Sequence, residues 1–89
     1  MSDSTVQCWL VERTFDDRNL VTIVYATPDG SRYQQRERSS TSLRTGGAVT
    51  AATEIPEDEL EPVTDEETRE RYAEEVDRTA EQYDPDDQI

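Results

Sequence analysis

A chain of 89 residues with 31% hydrophobic residues, 35% charged residues and a net charge of −13 has the length for one domain, which buries only about 60% of its unfolded surface. The absence of histidine and the single cysteine exclude histidine-dependent triads, histidine-built zinc sites, an internal disulfide and a four-cysteine metal centre within one chain, and no apolar run approaches bilayer-spanning length. All nine cations are arginine; a lysine-free, acid-rich surface suits molar salt, where a Debye length of about 3 Å screens self-repulsion, so the expected source is a halophilic archaeon.

Met1 to Thr5 carries neither a basic cluster nor an apolar stretch, so no signal peptide is expected and the expected compartment is the cytoplasm. The first strand is expected over about residues 6–15 and the second over 20–27, both rich in β-branched and aromatic residues. Between them, Asp16-Asp17-Arg18-Asn19 has the chemistry of a four-residue hairpin turn. It sets Phe15 opposite Leu20, Val11 opposite Val24 and Leu10 opposite Tyr25. Pro28-Asp29-Gly30 reads as a type I turn closed by a left-handed glycine; it sets Tyr33 opposite Tyr25 and opens a third, polar strand over 31–38. Ser39–Gly47 reads as a loop, 48–55 as a fourth strand, and Pro56–Leu60 as a short helical turn with proline at its first position. Thr64 and Glu67 form a capping box for a helix over about 65–83, whose stripe Tyr72, Val76, Ala80 and Tyr83 recurs at helical spacing. Asp84-Pro85 stops the helix, and residues 84–89 are expected to fray. The expected fold class is α+β: a three- to four-stranded antiparallel β-meander packed against one C-terminal amphipathic helix, in a single domain over 1–89.

Alternation along these registers places Trp9, Val11, Phe15, Leu20, Val24 and Ala26 on one sheet face, bordered by Arg32, Gln34, Arg36 and Arg38. Val6, Cys8, Leu10, Val21, Ile23, Tyr25 and Tyr33 fall on the other. One helix covers one face. Leu10, Ile23, Tyr25 and Tyr33 therefore need either residues 48–63 folded across them or a second copy of the chain. A large exposed apolar patch marks an interface, and a homodimer through this face is expected.

Charge is segregated along the chain. Residues 1–30 hold two arginines and five acids, residues 31–53 four arginines and one acid, and residues 54–89 three arginines and sixteen acids. Among 22 acids close carboxylate pairs arise by chance and read as solvated surface, not as a catalytic pair or a metal site. Cys8, mid-strand without a basic neighbour, reads as an inert packed thiol. Gly46-Gly47 lacks the spacing and the lysine of a phosphate loop, and no cofactor is implied. The basic middle block is the informative feature. Arg32, Arg36 and Arg38 beside Trp9, with Arg44 in the following loop, could grip a nucleic-acid backbone and stack a base. The favoured alternative is intramolecular, with these arginines facing the acidic helix and holding it to the sheet. A chain of this charge repels phosphate, and molar salt weakens counterion-driven binding.

Three strings, Trp9-Leu10-Val11-Glu12-Arg13, Tyr25-Ala26-Thr27-Pro28-Asp29-Gly30 with Arg32-Tyr33, and Glu67-Thr68-Arg69-Glu70-Arg71-Tyr72-Ala73, resemble a family of small acidic haloarchaeal proteins with no assigned activity. The likeness spans most of the chain and implies an organism class, not a chemistry. The functional expectation is a non-enzymatic protein-interaction or regulatory module with a protein partner and no membrane association. The alternatives are a nucleic-acid-binding accessory protein using the arginine-bearing strand and loop, which is disfavoured, and an acidic mimic of DNA built from the carboxylates of residues 54–87.

Overall fold

The β-branched and aromatic residues of the first third of the chain make the two long strands at the centre of the sheet. In the computed structural model, which describes residues 4–15, 20–39 and 49–88, they are β1 (Thr5–Phe15) and β2 (Leu20–Ala26). There follow β3 (Arg32–Ser39), β4 (Ala52–Pro56), a 3-10 turn (Glu57–Glu59), β5 (Glu61–Pro62) and one helix, α1 (Glu66–Gln82). The strands form one antiparallel sheet in the order β4-β1-β2-β3-β5, so the architecture is α+β. After the β1-β2-β3 meander the chain crosses to set β4 beside β1, then returns to add β5 beside β3. β5 is too short for any sequence period to announce it. The expected turn at Asp16–Asn19 and the loop containing Arg44 and Gly46-Gly47 lie outside the described residues.

Two local insertions change the expected registers. β1 and β2 pair Trp9 with Ala26 and Leu10 with Tyr25; after a bulge at Val11 they pair Glu12 with Val24, Arg13 with Ile23, Thr14 with Thr22 and Phe15 with Val21. Val11 is therefore an extra residue and not the partner of Val24, and Phe15 faces Val21 instead of Leu20. A bulge of this kind re-aims every side chain beyond it. It lies where the β4 ladder ends: the Leu10 amide donates to the Ala51 carbonyl (2.9 Å) and the Leu10 carbonyl accepts from the Thr79 hydroxyl of α1 (2.9 Å).

The second insertion is Ser31. Thr27 and Arg32 close the turn, with the Thr27 amide donating to the Arg32 carbonyl (3.0 Å) and the Gly30 amide to the Thr27 carbonyl (2.8 Å). The Asp29 carboxylate gathers the turn, accepting from the Ser31 amide (3.0 Å), the Ser31 hydroxyl (2.7 Å) and the Thr27 hydroxyl (2.7 Å). Ser31 thus belongs to the turn and not to the strand. β3 then pairs Gln34 with Tyr25 and Tyr33 with Ala26, not Tyr33 with Tyr25. A slip of one residue exchanges the faces of a strand.

The same hydrogen bonds, led by that from the Ser31 amide and followed by those from the Thr27 and Ser31 hydroxyls, hold the Asp29 carboxyl down to about 2. A depressed carboxylate contributes stability that is present above its unfolded value near 4 and is lost as pH falls through the folded value. Asp29 is exposed, so water screens much of the effect and about 1 kcal/mol is the appropriate scale. Asp29→Asn is therefore expected to lower the urea midpoint at neutral pH. Its deficit should shrink towards zero near pH 2, as measured at fixed KCl.

The sheet is covered on both faces within the one chain. Trp9, Val24, Ala26, Ala51 and Ala52 pack with Tyr72 and Val76 of α1, flanked by Val11, Tyr33 and Val63. On the opposite face Cys8, Leu10, Val21, Ile23 and Tyr25 pack with Val49, Ile55 and Leu60. Leu10, Ile23 and Tyr25 are 8%, 3% and 4% exposed, and Tyr33 lies on the helix face with its ring 6.2 Å from that of Tyr72. The four residues expected to form a dimer face are thus not one exposed patch, because residues 49–60 contribute to the second core layer.

α1 begins one residue later than the capping box implies. Asp65, not Thr64, is the N-cap, and its carboxylate accepts from the Thr68 amide (2.8 Å) and the Thr68 hydroxyl (2.6 Å). Of the expected stripe, Tyr72 and Val76 are buried while Ala80 and Tyr83 are exposed. The tail is tied down rather than frayed. Asp87 and Pro85 carbonyls accept from the Ala51 (2.8 Å) and Ala52 (3.1 Å) amides, and Gln88 bridges to Thr50. Among the described residues no helix is long and apolar enough to cross a membrane.

Candidate anion-binding face

The shifted register of β3 decides where its arginines go. Three cross-strand rows run across the face opposite α1: Phe15, Val21 and Arg38; Arg13, Ile23 and Arg36; and Leu10, Tyr25 and Gln34. Arg32 is one step further along the same side of β3. The Arg36 guanidinium lies 5.5 Å from the centre of the Tyr25 ring, within cation–π range, and its Nε donates to the Gln34 side-chain oxygen (2.6 Å). Arg38 is exposed and, among the described residues, its guanidinium donates to the Glu37 carbonyl (3.4 Å).

Beneath the arginines lies Cys8, fully buried. Burial pushes its thiol up to about 11, while the charges of Arg32 and Arg36 pull the other way. A thiol held this high is not a nucleophile near neutral pH. Among the described residues no group of three or more acids or cysteines is arranged to hold a metal ion.

Trp9 does not join the arginines. It is 9% exposed and sits in the helix-side core, so it can neither stack a base nor flank a ligand on the other face. The expectation that the β3 arginines clamp the acidic helix is overturned by the same register: they point away from it. Arg44 lies outside the described residues. Sequence reasoning missed Phe15, 73% exposed in the Arg38 row, and Arg13, which the bulge aligns with Arg36. The nearest sequence signal was the Asp29-Gly30-Ser31 string, since a Ser two residues after Asp favours a side-chain-closed turn.

The ion pairs sharpen the contrast. Each arginine of α1 has a carboxylate: Arg69 with Glu66 (3.8 Å), Arg71 with Glu12 (3.7 Å) and Arg78 with Glu75 (2.9 Å). Among the described residues no carboxylate comes within 4.0 Å of Arg32, Arg36 or Arg38, in a chain with 22 acids. α1 itself carries seven acids against three arginines. The sheet therefore separates an acidic helix side from an arginine side whose charge the described residues leave without ion pairs at Arg32, Arg36 and Arg38.

The whole length, residues 1–89, matches the family of unknown function DUF7967. The chain belongs to that family. No curated protein and no solved structure matches the chain significantly. The function of that family is unknown, and the surface chemistry of the chain is the guide to a proposal.

Proposed function

We propose that this protein is a non-enzymatic interaction module of a halophilic archaeal cytoplasm that docks an acidic protein segment on its arginine-bearing sheet face. One observation carries the reading: Arg32, Arg36 and Arg38 lack carboxylate partners among the described residues while all three arginines of α1 have them. In a chain so rich in acids, random placement would supply partners. Their absence among the described residues supports a face whose charge meets a second molecule. Arginine suits the task because its planar fork meets a carboxylate with two parallel hydrogen bonds. The high thiol value of buried Cys8 and the lack of histidine support a binding role over a catalytic one.

The test is binding of polyglutamate at stepped KCl concentrations. Arg36→Glu with Arg38→Glu is expected to weaken it on the order of tenfold or more, whereas Arg71→Gln with Arg78→Gln, which removes cations already paired, leaves it unchanged. Equal loss from both double variants would assign the binding to net charge alone and sink the proposal.

A second reading, single-stranded nucleic acid, is favoured by Phe15, an aromatic 73% exposed in the row that holds Arg38. Stacking on such a ring is sequence-tolerant. Phe15→Ala separates the two: it weakens oligothymidylate binding only if bases stack there, and it spares polyglutamate.

A further inference from the structure

We propose that the outer edge of β3 is a strand-addition site, where an extended acidic polypeptide pairs with Gln35 and Glu37 through its backbone and lays alternate carboxylates over Arg36 and Arg38. This deepens the docking reading above and rests on it.

Among the described residues, the outer edge of β3 beyond Tyr33 is left without a strand partner. β5 pairs only with Arg32 and Tyr33, because the preceding residues curl through the 3-10 turn at Glu57–Glu59 and Leu60 turns into the core. The Arg32 carbonyl accepts from Thr27 on the β2 side, while the Ser31 carbonyl accepts from the Val63 amide (2.8 Å) on the other. Backbone groups of successive strand residues alternate in direction, so odd-numbered residues of β3 aim theirs outward. The N–H and C=O groups of Gln35 and Glu37 continue that row beyond β5; among the described residues no backbone group bonds to them on that side, and the Glu37 carbonyl meets only the guanidinium of Arg38 (3.4 Å).

An unpaired row of this kind is a template for another chain, and sheets guard it with charge. Arg36, Glu37 and Arg38 are such a guard, and a guard also selects. A residue paired with a β3 residue projects to the same face. A basic or apolar strand would set its side chains against the two arginine charges, whereas carboxylates opposite Arg36 and Arg38 neutralise them. The other end has different chemistry. Gln34, Gln35, Glu59 and Glu61 line a cleft of about 310 Å³, in which the Gln34 side-chain amide donates to the Glu59 carboxylate (3.1 Å). Two acids there repel a third, so the entering segment is acidic towards Arg38 and neutral towards Gln34. Backbone ladder bonds form at contact distance and survive molar salt, which abolishes long-range attraction. That combination gives a −13 chain a route to an acidic partner.

The experiment uses the full chain, an acetylated peptide alternating Glu and Val, and two versions of it N-methylated along one edge or the other. Methylating the amides that face Gln35 and Glu37 is expected to weaken binding on the order of tenfold or more, and methylating the opposite edge to leave it within about twofold. Gln35→Pro removes an outward amide without touching the β2 ladder, and should weaken the unmethylated peptide with an unchanged melting temperature. If both methylated peptides bind like the parent while Arg36→Glu with Arg38→Glu abolishes binding, strand addition is overturned and the arginine face stands. If the parent peptide does not bind, or the arginine variant binds it unchanged, both readings fall.

Discussion

Gly30→Ala is expected to be the most damaging conservative change in the chain, lowering stability by about 3 kcal/mol or more. Two independent costs meet at this residue. Its φ is +73°, the left-handed region that an alanine enters only with strain. A Cβ built there would also lie 2.2 Å from the Arg69 carbonyl oxygen and 2.9 Å from the Ala73 amide nitrogen. Those are helix backbone atoms, which cannot swing aside as a side-chain tip can. α1 would have to lift from the turn, loosening Tyr72 and Val76 from Trp9 and Val24. For a small domain such a loss approaches the whole of its stability. Gly30→Asn separates the two costs. Asparagine tolerates left-handed angles better than alanine, so conformation alone would give it a much milder effect; close approach predicts a comparable one. Urea midpoints at fixed high KCl make the measurement. A Gly30→Ala midpoint close to that of the parent would show that the helix does not rest on this turn.

The second large effect concerns salt. Lowering ionic strength from about 1 M to about 0.01 M lengthens the Debye distance from about 3 Å to about 30 Å, comparable with the 33 × 32 × 24 Å extents of the chain. Every carboxylate then feels every other. The seven acids of α1 face only three arginines, and the docked tail adds Asp84, Asp86 and Asp87, of which Asp86 lines one cleft with Glu54. The helix-side contacts rest on Tyr72 and Val76, a thin apolar seam against this repulsion. The expected result is a fall in melting temperature of more than about 10 °C, followed by far-UV circular dichroism, with recovery on adding KCl. The double change Arg36→Glu with Arg38→Glu takes the net charge from −13 to −17 and should steepen the dependence. A cooperative melt at an unchanged temperature in near-pure water would refute the electrostatic account.

Much of the architecture was legible because local chemistry and period agreed. The strands at Thr5–Phe15 and Leu20–Ala26, the polar third strand, the 3-10 turn after Pro56 and the C-terminal helix all follow from residue type and spacing. What escaped was a matter of single residues. Pro28-Asp29-Gly30 closes a three-residue loop as readily as it opens a four-residue one; the choice falls to the Asp29 carboxylate and to a helix about 40 residues away in sequence pressing on Gly30. The bulge at Val11 depends on where β4 ends and on a hydroxyl from Thr79. Neither contact has a local signature. The consequence for the site was a change of face rather than of identity. Arg32, Arg36 and Arg38 share one face as expected, but Trp9 lies on the opposite one. The tail illustrates the same limit, since Asp84-Pro85 correctly ends the helix but nothing local shows that Pro85 and Asp87 meet Ala52 and Ala51.

Cys8 offers a built-in clock for the opening of the sheet. It is the sole thiol of the chain, 0% exposed, and set between the Arg32–Arg36 side and β4. An alkylating reagent reaches its sulfur only when the core layer it shares with Val49, Ile55 and Leu60 opens, so the labelling rate followed by mass spectrometry reports the population of that opened state. Fluctuations of the native chain can thus be timed in concentrated KCl without adding any denaturant.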